Sequence, residues 1–112
     1  MRPYKHPDAS EFVLERVLYA LSDSIRLEIV LHLARVENAT CGELDGGRPK
    51  STMSHHFKVL REAGLIRSER HGVEMRNHSR WVEVNARFPG LLAAIINAYA
   101  SDIDDGSRGS GA

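Results

Sequence analysis

Residues 50–66 read KSTMSHHFKVLREAGLI, and they predict the central helix of the fold. Three apolar side chains recur at helical spacing and mark a buried stripe: Met53, Phe57 and Leu60. Pro49 stands at the first turn, where an amide proton is not needed, and Gly64 follows the last turn as a left-handed cap. The stretch predicts a helix from Lys50 to Ala63 with one apolar face and one polar face.

Two longer helices are predicted nearer the N-terminus. Asp8 or Ser10 can cap the first, which runs to about Leu21. Asp23 begins the second, because its carboxylate can accept the free amide protons of Ile25 and Arg26 in the first turn. The buried stripe of this second helix is expected at Leu27, Val30, Leu31 and Ala34.

A short helix and a turn precede the long helix. Thr40 can cap a helix over residues 41–45, which Gly46 and Gly47 end. A short helix, a turn and a long helix with small polar residues on its outer face form a helix-turn-helix arrangement. The outer face carries side chains that can reach base edges in a major groove about 12 Å wide: Ser51, Thr52, Ser54, His55 and Lys58.

A basic hairpin is predicted after the long helix. Residues 65–70 and 73–78 flank a short loop at Gly72, which predicts two antiparallel strands. The cations of this hairpin suit phosphate contacts or insertion into the minor groove: Arg67, Arg70 and Arg76. With these residues and the outer face, we also assign Lys50 and Arg61 of the long helix to the DNA-binding set.

Charge supports a polyanionic partner in the middle of the chain. The protein has 112 residues, with 15 Lys and Arg against 15 Asp and Glu, so its net charge is zero. Residues 48–80, however, contain eight basic and three acidic side chains, a net charge of +5. The two flanking parts are net acidic. Double-stranded DNA is therefore the expected partner of the middle segment.

Composition argues against several other classes. No run of about eighteen apolar residues is present, which predicts no membrane span. The single cysteine, Cys41, forms neither an internal disulfide nor a four-ligand zinc site, so a reducing, cytoplasmic location is expected. Six histidines and many carboxylates make a hydrolase the rival class. Because no Ser/Cys–His–acid spacing, glycine-rich phosphate loop or His-x-x-x-His pair is found, we predict no catalytic site and no cofactor.

A homodimer is expected from the first and last helices. The last helix should open near Phe88-Pro89 and end at Ala100 or Ile103, and it is apolar nearly all round. The first helix likewise has more apolar residues than one buried stripe requires. A chain this short cannot bury both helices alone. A twofold dimer is the commonest remedy. Its predicted interface is Phe12, Val13, Leu14, Val17, Leu91, Leu92, Ile95, Ile96 and Tyr99.

Three blocks of sequence resemble one known family. They are LSDSIRLEIV at residues 21–30, CGEL at 41–44 and STMSHHFKVLREAGLI at 51–66. Together they resemble the ArsR/SmtB family of winged-helix repressors. The resemblance implies a homodimer that binds operator DNA and releases it when an inducer binds. By position, the polar face of the long helix matches the family's recognition-helix contacts, and residues 70–76 match its wing.

The metal sites of that family are not matched. Its Cys-x-Cys pair falls on Thr40 and Gly42, with Cys41 on the spacer between them. Its site along the last helix needs Asp, His and Glu side chains, whereas residues 91–103 contain only Asp102. We therefore expect no metal and leave the inducer unassigned. Two alternatives stay open: a dimeric protein-interaction module derived from this fold, and a redox-responsive regulator acting through Cys41.

The expected organisation is one mainly α domain with a small β-hairpin. It is a winged helix-turn-helix of four helices, a hairpin and a last helix, paired through its first and last helices. A flexible arm is expected at residues 1–9, the DNA-binding and dimerisation domain at 10–101, and a disordered tail at 102–112.

Overall fold

Six α-helices and three short strands make up the part of the chain that the computed structural model describes, residues 4–105. A 3-10 turn at Ala9–Glu11 precedes them. The elements in order are α1 (Leu14–Ala20), α2 (Ser24–Arg35), β1 (Ala39–Thr40), α3 (Cys41–Leu44), α4 (Lys50–Ala63), β2 (Ile66–His71), β3 (Glu74–Ser79), α5 (Trp81–Arg87) and α6 (Leu91–Asp104). This confirms the winged helix-turn-helix and its hairpin, with one more helix and one more strand than predicted.

The strands form one antiparallel sheet in the order β1–β3–β2. Ile66 pairs with Ser79 and His71 pairs with Glu74, so β2 and β3 are in register along their whole length. Gly72 supplies the left-handed backbone of the connecting turn, with φ of 67°. Strand β1 was not predicted, because two residues carry no periodic signal and become a strand only by pairing with β3.

The first predicted helix is divided into two parts. Asp8 caps only the 3-10 turn, and its amide donates to the Glu11 carboxylate at 2.8 Å. Extended backbone at Phe12 and Val13 then interrupts the helix, and α1 begins at Leu14. The interruption turns the Phe12 ring into the core, where only 3% of the residue is exposed.

The second helix begins as predicted but buries a different set of residues. Asp23 accepts the amide protons of Ile25 at 2.8 Å and Arg26 at 3.2 Å. The predicted stripe is wrong in part, since Leu27 is only half-buried and Ala34 is exposed. Helix α2 packs against α4, α6 and β3, and it therefore buries a wider face: Arg26, Ile29, Val30, Leu31 and Leu33.

The segment before the last helix is itself a helix. We expected helical structure to open near Phe88, but α5 already spans Trp81–Arg87, and α6 begins only at Leu91. Val84 of α5 is completely buried and Trp81 packs against the core. Helix α6 continues to Asp104, and residues 106–112 of the predicted tail lie outside the described residues.

The long helix α4 has the predicted bounds and cap. Gly64 adopts φ of 88°, and its amide donates to carbonyl oxygens of the last turn. The Phe12 ring lies against Gly64 so closely that a Cβ atom there would overlap it. Backbone conformation and packing therefore both require glycine at this position. No helix between residues 4 and 105 is long and apolar enough to cross a membrane.

Candidate nucleic-acid interface

The outer face of α4 is a row of exposed polar side chains. We call the following set the α4 face: Lys50, Ser51, Thr52, Ser54, His55 and Lys58, all of them exposed. Residues four apart on a helix are neighbours, which aligns Lys50, Ser54 and Lys58 along it. The opposite side of α4 buries Met53, Phe57 and Leu60 as predicted. Burial of one side thus fixes which side chains meet solvent.

Local hydrogen bonds hold the helix-turn-helix in place. Thr40 caps α3 as predicted and forms a capping box, in which its Oγ1 accepts from the Glu43 amide and the Glu43 carboxylate accepts from the Thr40 amide. These hydrogen bonds hold the pKa of Glu43 below its usual value. In the turn, the Asp45 carboxylate accepts from the Gly47 amide at 2.8 Å. Arg48 then reaches Glu28 of α2 at 3.4 Å.

A buried arginine supports α4 from below. Arg26 donates from Nε to the Ala20 carbonyl oxygen at 2.8 Å and from Nη2 to the Tyr19 carbonyl oxygen at 3.3 Å. Its Nη1 lies 3.0 Å from Nδ1 of His56, on the buried side of α4. Because a guanidinium only donates, His56 Nδ1 accepts and the ring is neutral. Both residues are less than a tenth exposed.

The environment of His56 favours its neutral form. Desolvation by burial lowers its pKa, and the nearby Arg26 charge acts in the same direction. Asp23, whose carboxylate lies 3.9 Å from His56 Nδ1, opposes them. The supporting role of Arg26 was not predicted from the sequence, although its position among apolar residues indicates burial. Arg26 shares one helical stripe with the apolar Ile29, Val30 and Leu33.

The three wing cations have unlike environments. Arg70 is exposed and pairs across the sheet with Met75, near the tip of the hairpin. Arg76 is half-buried and already bound, since its Nη1 donates to Asn38 Oδ1 at 2.7 Å and its Nη2 to the Glu74 carboxylate at 2.9 Å. Arg67 is half-buried nearer the base of the hairpin. Of the three, Arg70 is the best placed to contact a phosphate.

Arg61 lies apart from the α4 face. Its guanidinium sits 4.1 Å from the centre of the Tyr4 ring and its Nη1 donates to Ser68 Oγ at 3.4 Å. Burial lowers the pKa of Arg61. The residues next to Tyr4 also contact the domain, because His6 Nε2 accepts from the Ser68 amide at 3.0 Å. Residues 4–8 of the predicted arm thus lie along the base of the wing.

A buried amide connects the wing to the start of α3. Asn77 of β3 is fully buried, and its Oδ1 accepts from Ser68 Oγ at 2.6 Å. Its Nδ2 donates to the Ala39 carbonyl oxygen at 3.3 Å and to Cys41 Sγ at 3.4 Å. The half-buried Cys41 therefore lies at the junction of the wing and the helix-turn-helix.

The predicted dimer residues fall into two groups. Five are buried within this protomer: Phe12, Val17, Leu92, Ile96 and Tyr99. The other four reach the surface, with Val13 42% and Leu14 40% exposed and Leu91 and Ile95 half-buried. Sequence reasoning missed further exposed apolar side chains on the same two helices: Leu18, Tyr19 and Ile103.

The described residues hold no cluster of metal-binding side chains. Within residues 4–105, no group of three or more His, Cys, Asp and Glu residues could hold a metal ion. Two histidines of the hairpin do approach one carboxylate. His71 lies 3.9 Å and His78 3.7 Å from oxygens of Glu69, on the surface of the wing.

Comparison with known proteins agrees with this geometry. A family model described as a helix-turn-helix domain matches residues 21–69. The structure is similar to the crystal structure of the transcriptional repressor BigR from Xylella fastidiosa, with TM-score 0.62, 24% identity, and 79% of this chain and 83% of that chain covered. It is also similar to an ArsR-like transcriptional regulator from Rhodococcus sp. RHA1, with TM-score 0.57, 26% identity, and 86% and 87% covered.

A third solved structure, titled an ArsR family transcriptional regulator, has TM-score 0.60 and 20% identity and covers 85% of this chain and 96% of that one. A search of curated proteins gave no match. The helix-turn-helix match begins just before α2 and ends within β2, so it includes the whole of the α4 face.

Proposed function

We propose that this chain is a DNA-binding winged helix-turn-helix transcriptional regulator of the ArsR type, and that it represses transcription by holding operator DNA as a homodimer. One observation carries the proposal. The α4 face is exposed on a helix whose opposite side is anchored in the core, and a basic hairpin stands beside it. A rigid helix with small polar and cationic side chains can read base edges in a major groove.

The α4 face has the chemistry for both kinds of DNA contact. Ser54 and His55 offer short hydrogen-bonding groups to base edges, together with Ser51 and Thr52. Lys50 and Lys58 lie at either end of the same row and provide charge for phosphates. Base contacts therefore come from the middle of the face and backbone contacts from its ends.

The wing supplies backbone contacts of unequal strength. Arg70 needs no rearrangement to reach a phosphate, because it is exposed near the hairpin tip. Arg76 must first give up its ion pair with Glu74. Arg67 and Arg61 lie nearer the base of the wing and contribute charge at longer range. Neutralised phosphates release counterions, so affinity should fall steeply with salt concentration.

A second copy of the chain is the partner that covers the exposed apolar face of α1 and α6. Leu14, Leu18 and Tyr19 of α1 are each at least 40% exposed. In α6, Ile95 is half-buried and Ile103 is 38% exposed. A twofold pair through these helices would place two copies of α4 about one turn of DNA apart.

Release of operator DNA requires a signal, and we propose that this signal is not a metal ion. The two ligand positions of the usual Cys-x-Cys site hold Thr40 and Gly42, which offer no thiolate. The last helix offers Asp102 and Asp104 but no histidine. A small-molecule inducer is therefore the expected signal.

The DNA part of the proposal is tested by selection from a random pool of duplex DNA, followed by fluorescence anisotropy with the enriched site. We expect log Kd to rise linearly with the logarithm of the salt concentration. A scrambled site of the same composition should bind more weakly. Equal affinity for the two sites would contradict sequence-specific recognition. Failure to bind any duplex at low ionic strength would refute DNA binding itself.

The dimer is tested by sedimentation of the Leu14→Asp, Ile95→Asp double variant. We expect a dimer for the native chain and a monomer for the variant, because each substitution places a charge on the apolar face. The double variant His32→Asp, Asn97→Asp adds two carboxylates at exposed polar positions, and as the matched control it should remain dimeric. A variant that sediments as the native dimer would show that the interface lies elsewhere.

A further inference from the structure

A groove of about 550 Å³ separates the wing tip from α4. Its apolar side is formed by Met53 and Phe57 of α4, Met75 of β3 and Cys41 of α3, and its polar side includes Lys50 and Arg70. The volume falls within the range of small-molecule sites, which are commonly apolar with a few polar groups that fix orientation.

The groove carries unneutralised positive charge. Within residues 4–105, neither Lys50 nor Arg70 has an ion pair or a side-chain hydrogen bond. Of the two carboxylates that line the groove, Glu74 is neutralised by an ion pair, whereas Asp45 keeps its charge and accepts a backbone amide. Glu74 is paired with Arg76 at 2.9 Å, and Asp45 accepts the Gly47 amide at 2.8 Å. Two free cations therefore face one unpaired carboxylate, and this excess of positive charge favours a negatively charged occupant.

The groove also shares residues with the proposed DNA interface. Lys50, Ser54 and Arg70 line it and belong to the predicted DNA contacts. A molecule bound there covers these side chains and separates the wing from α4. DNA that spans α4 and the wing needs the same space, so the two ligands exclude each other.

We infer that this groove binds a small organic anion with an apolar body, and that the bound anion competes directly with DNA. The inference rests on the proposed function, because it gives the release signal a chemical class and a place. The anionic group pairs with Lys50 and Arg70, and the apolar body lies against Met53, Phe57 and Met75. Release then needs no conformational change transmitted from the dimer interface.

A larger cavity of about 700 Å³ lies between residues 5–7, α1 and α4 and serves as the internal comparison. Two cations, Lys5 and Arg16, and two carboxylates, Glu11 and Glu62, line it. Among the described residues, neither of these carboxylates is ion-paired with another cation, so the charges balance, whereas in the groove beside the wing Arg76 neutralises one of the two carboxylates. None of the predicted DNA contacts lines it.

The first experiment measures probe binding without DNA. The probes are 1-anilinonaphthalene-8-sulfonate and N-phenyl-1-naphthylamine, two fluorescent molecules with the same aromatic body, of which only the first is an anion. We expect the anion to bind roughly tenfold more tightly than the neutral probe. Arg70→Gln should abolish this preference, whereas Arg16→Gln, its match in the larger cavity, should keep it. Equal affinity of the two probes for the native chain would overturn the inference.

A second variant tests the apolar side of the groove. Met75→Trp fills the groove with a larger side chain and leaves the DNA-binding set intact. In the absence of DNA, we expect it to weaken binding of the anionic probe roughly tenfold. Circular dichroism checks that the variant is folded. A folded Met75→Trp chain that binds the probe as the native chain does would overturn the inference.

The position of the probe is read from Cys41, the one thiol in the chain. Because Cys41 lines the groove, a saturating concentration of the anionic probe should slow its alkylation by iodoacetamide. The neutral probe at the same concentration should protect it less. Unchanged alkylation in the presence of bound anion would place the probe outside the groove and overturn the inference.

Competition with DNA is measured last, and it separates the two proposals. Operator binding by anisotropy without probe tests the proposed function alone. If operator binds, adding the anionic probe should raise the apparent Kd in proportion to the probe concentration once the probe exceeds its own Kd. An operator complex that is unaffected by a probe bound in the groove would refute competition while leaving DNA recognition intact.

Discussion

The α4 face and the wing offer DNA contacts in two different ways. On α4, Lys50, Ser54 and Lys58 point away from the core and have no hydrogen-bonding side-chain partner within residues 4–105. In the wing, Arg76 is held by Asn38 and Glu74 and is only half-exposed. On a helix, the exposed side chains are those that the buried stripe leaves over. In a hairpin, the exposure of a side chain depends on its cross-strand and flanking neighbours.

The largest effect is expected on the buried side of α4, where Arg26 supports the helix that carries the α4 face. Arg26→Met leaves the carbonyl oxygens of Ala20 and Tyr19 and Nδ1 of His56 without their buried donor. We expect the free energy of unfolding in urea to fall by about 3 kcal/mol. Arg35→Met, the same change at the exposed end of α2, is the control and should cost less than about 0.5 kcal/mol. Similar losses in both variants would show that the buried arginine gives α4 no special support.

The next effect concerns sequence reading by the α4 face. His55→Ala removes a hydrogen-bonding side chain in the middle of that face without touching the core. We expect weaker binding to the selected operator by about 1–3 kcal/mol and little change on the scrambled duplex. Anisotropy on both duplexes measures the ratio, and Asn97→Ala on α6 is the control. A uniform loss on both duplexes would make His55 a backbone contact.

A smaller and uniform effect is expected in the wing. Arg70→Ala should weaken all duplexes alike and reduce the slope of log Kd against log salt by about 0.9. Arg76→Ala should act in the same direction but less strongly, because the native side chain must leave Glu74 before it meets a phosphate. Titrations at several salt concentrations measure both slopes, with Arg87→Ala as the control outside the wing. Unchanged slopes would remove the hairpin from the interface.

The smallest effect is expected in the pH dependence of the free energy of unfolding. One buried histidine supports α4 and another lies at the base of the wing, so the two regions can be compared. Burial lowers the pKa of His56 under α4 and of His6 beside β2. Both histidines titrate near the ordinary value of 6.5 in the unfolded chain, so the unfolded state binds more protons as the pH falls below that value. Their contribution to stability is therefore complete above pH 6.5 and declines as the pH falls towards their folded pKa values.

Urea denaturation from about pH 7.5 to about pH 5 should show this decline in the native chain. His56→Gln and His6→Gln should each lessen the slope, since glutamine keeps an acceptor but does not titrate. Asn97→Gln, a change between two side chains that do not titrate at an exposed position on α6, should leave the slope as it is. A native chain that becomes more stable over this range would reverse the sign of the argument.

Local signals in the sequence predicted the parts of the site that local interactions build. The bounds of α4, the Gly64 cap and the Asp23 and Thr40 caps follow from side chains within a few residues of one another. The exposed face of α4 follows from its buried stripe. For the same reason the helix-turn-helix and its hairpin follow from the sequence.

The remaining features depend on contacts between distant parts of the chain. Strand β1 exists because Ala39 and Thr40 pair with β3, and the two valines of α5 lie two residues apart, a spacing that gives no helical period. The apolar stripe around Arg26 indicates that this side chain is buried, but its partners on α1 and α4 depend on the fold. Apolar periodicity alone likewise could not separate Leu92, which the protomer buries, from Leu14, which it leaves exposed.

The hydrogen bond from the Ser68 amide to His6 has a consequence for solubility. In the strand order β1–β3–β2, β2 is an outer strand, and such a strand offers unpaired amides to any other extended chain. His6 accepts a hydrogen bond from one of those amides, and residues 4–8 run beside the strand. A chain shortened to begin at residue 9 would uncover that edge, and light scattering at high concentration should then detect self-association that the longer chain does not show.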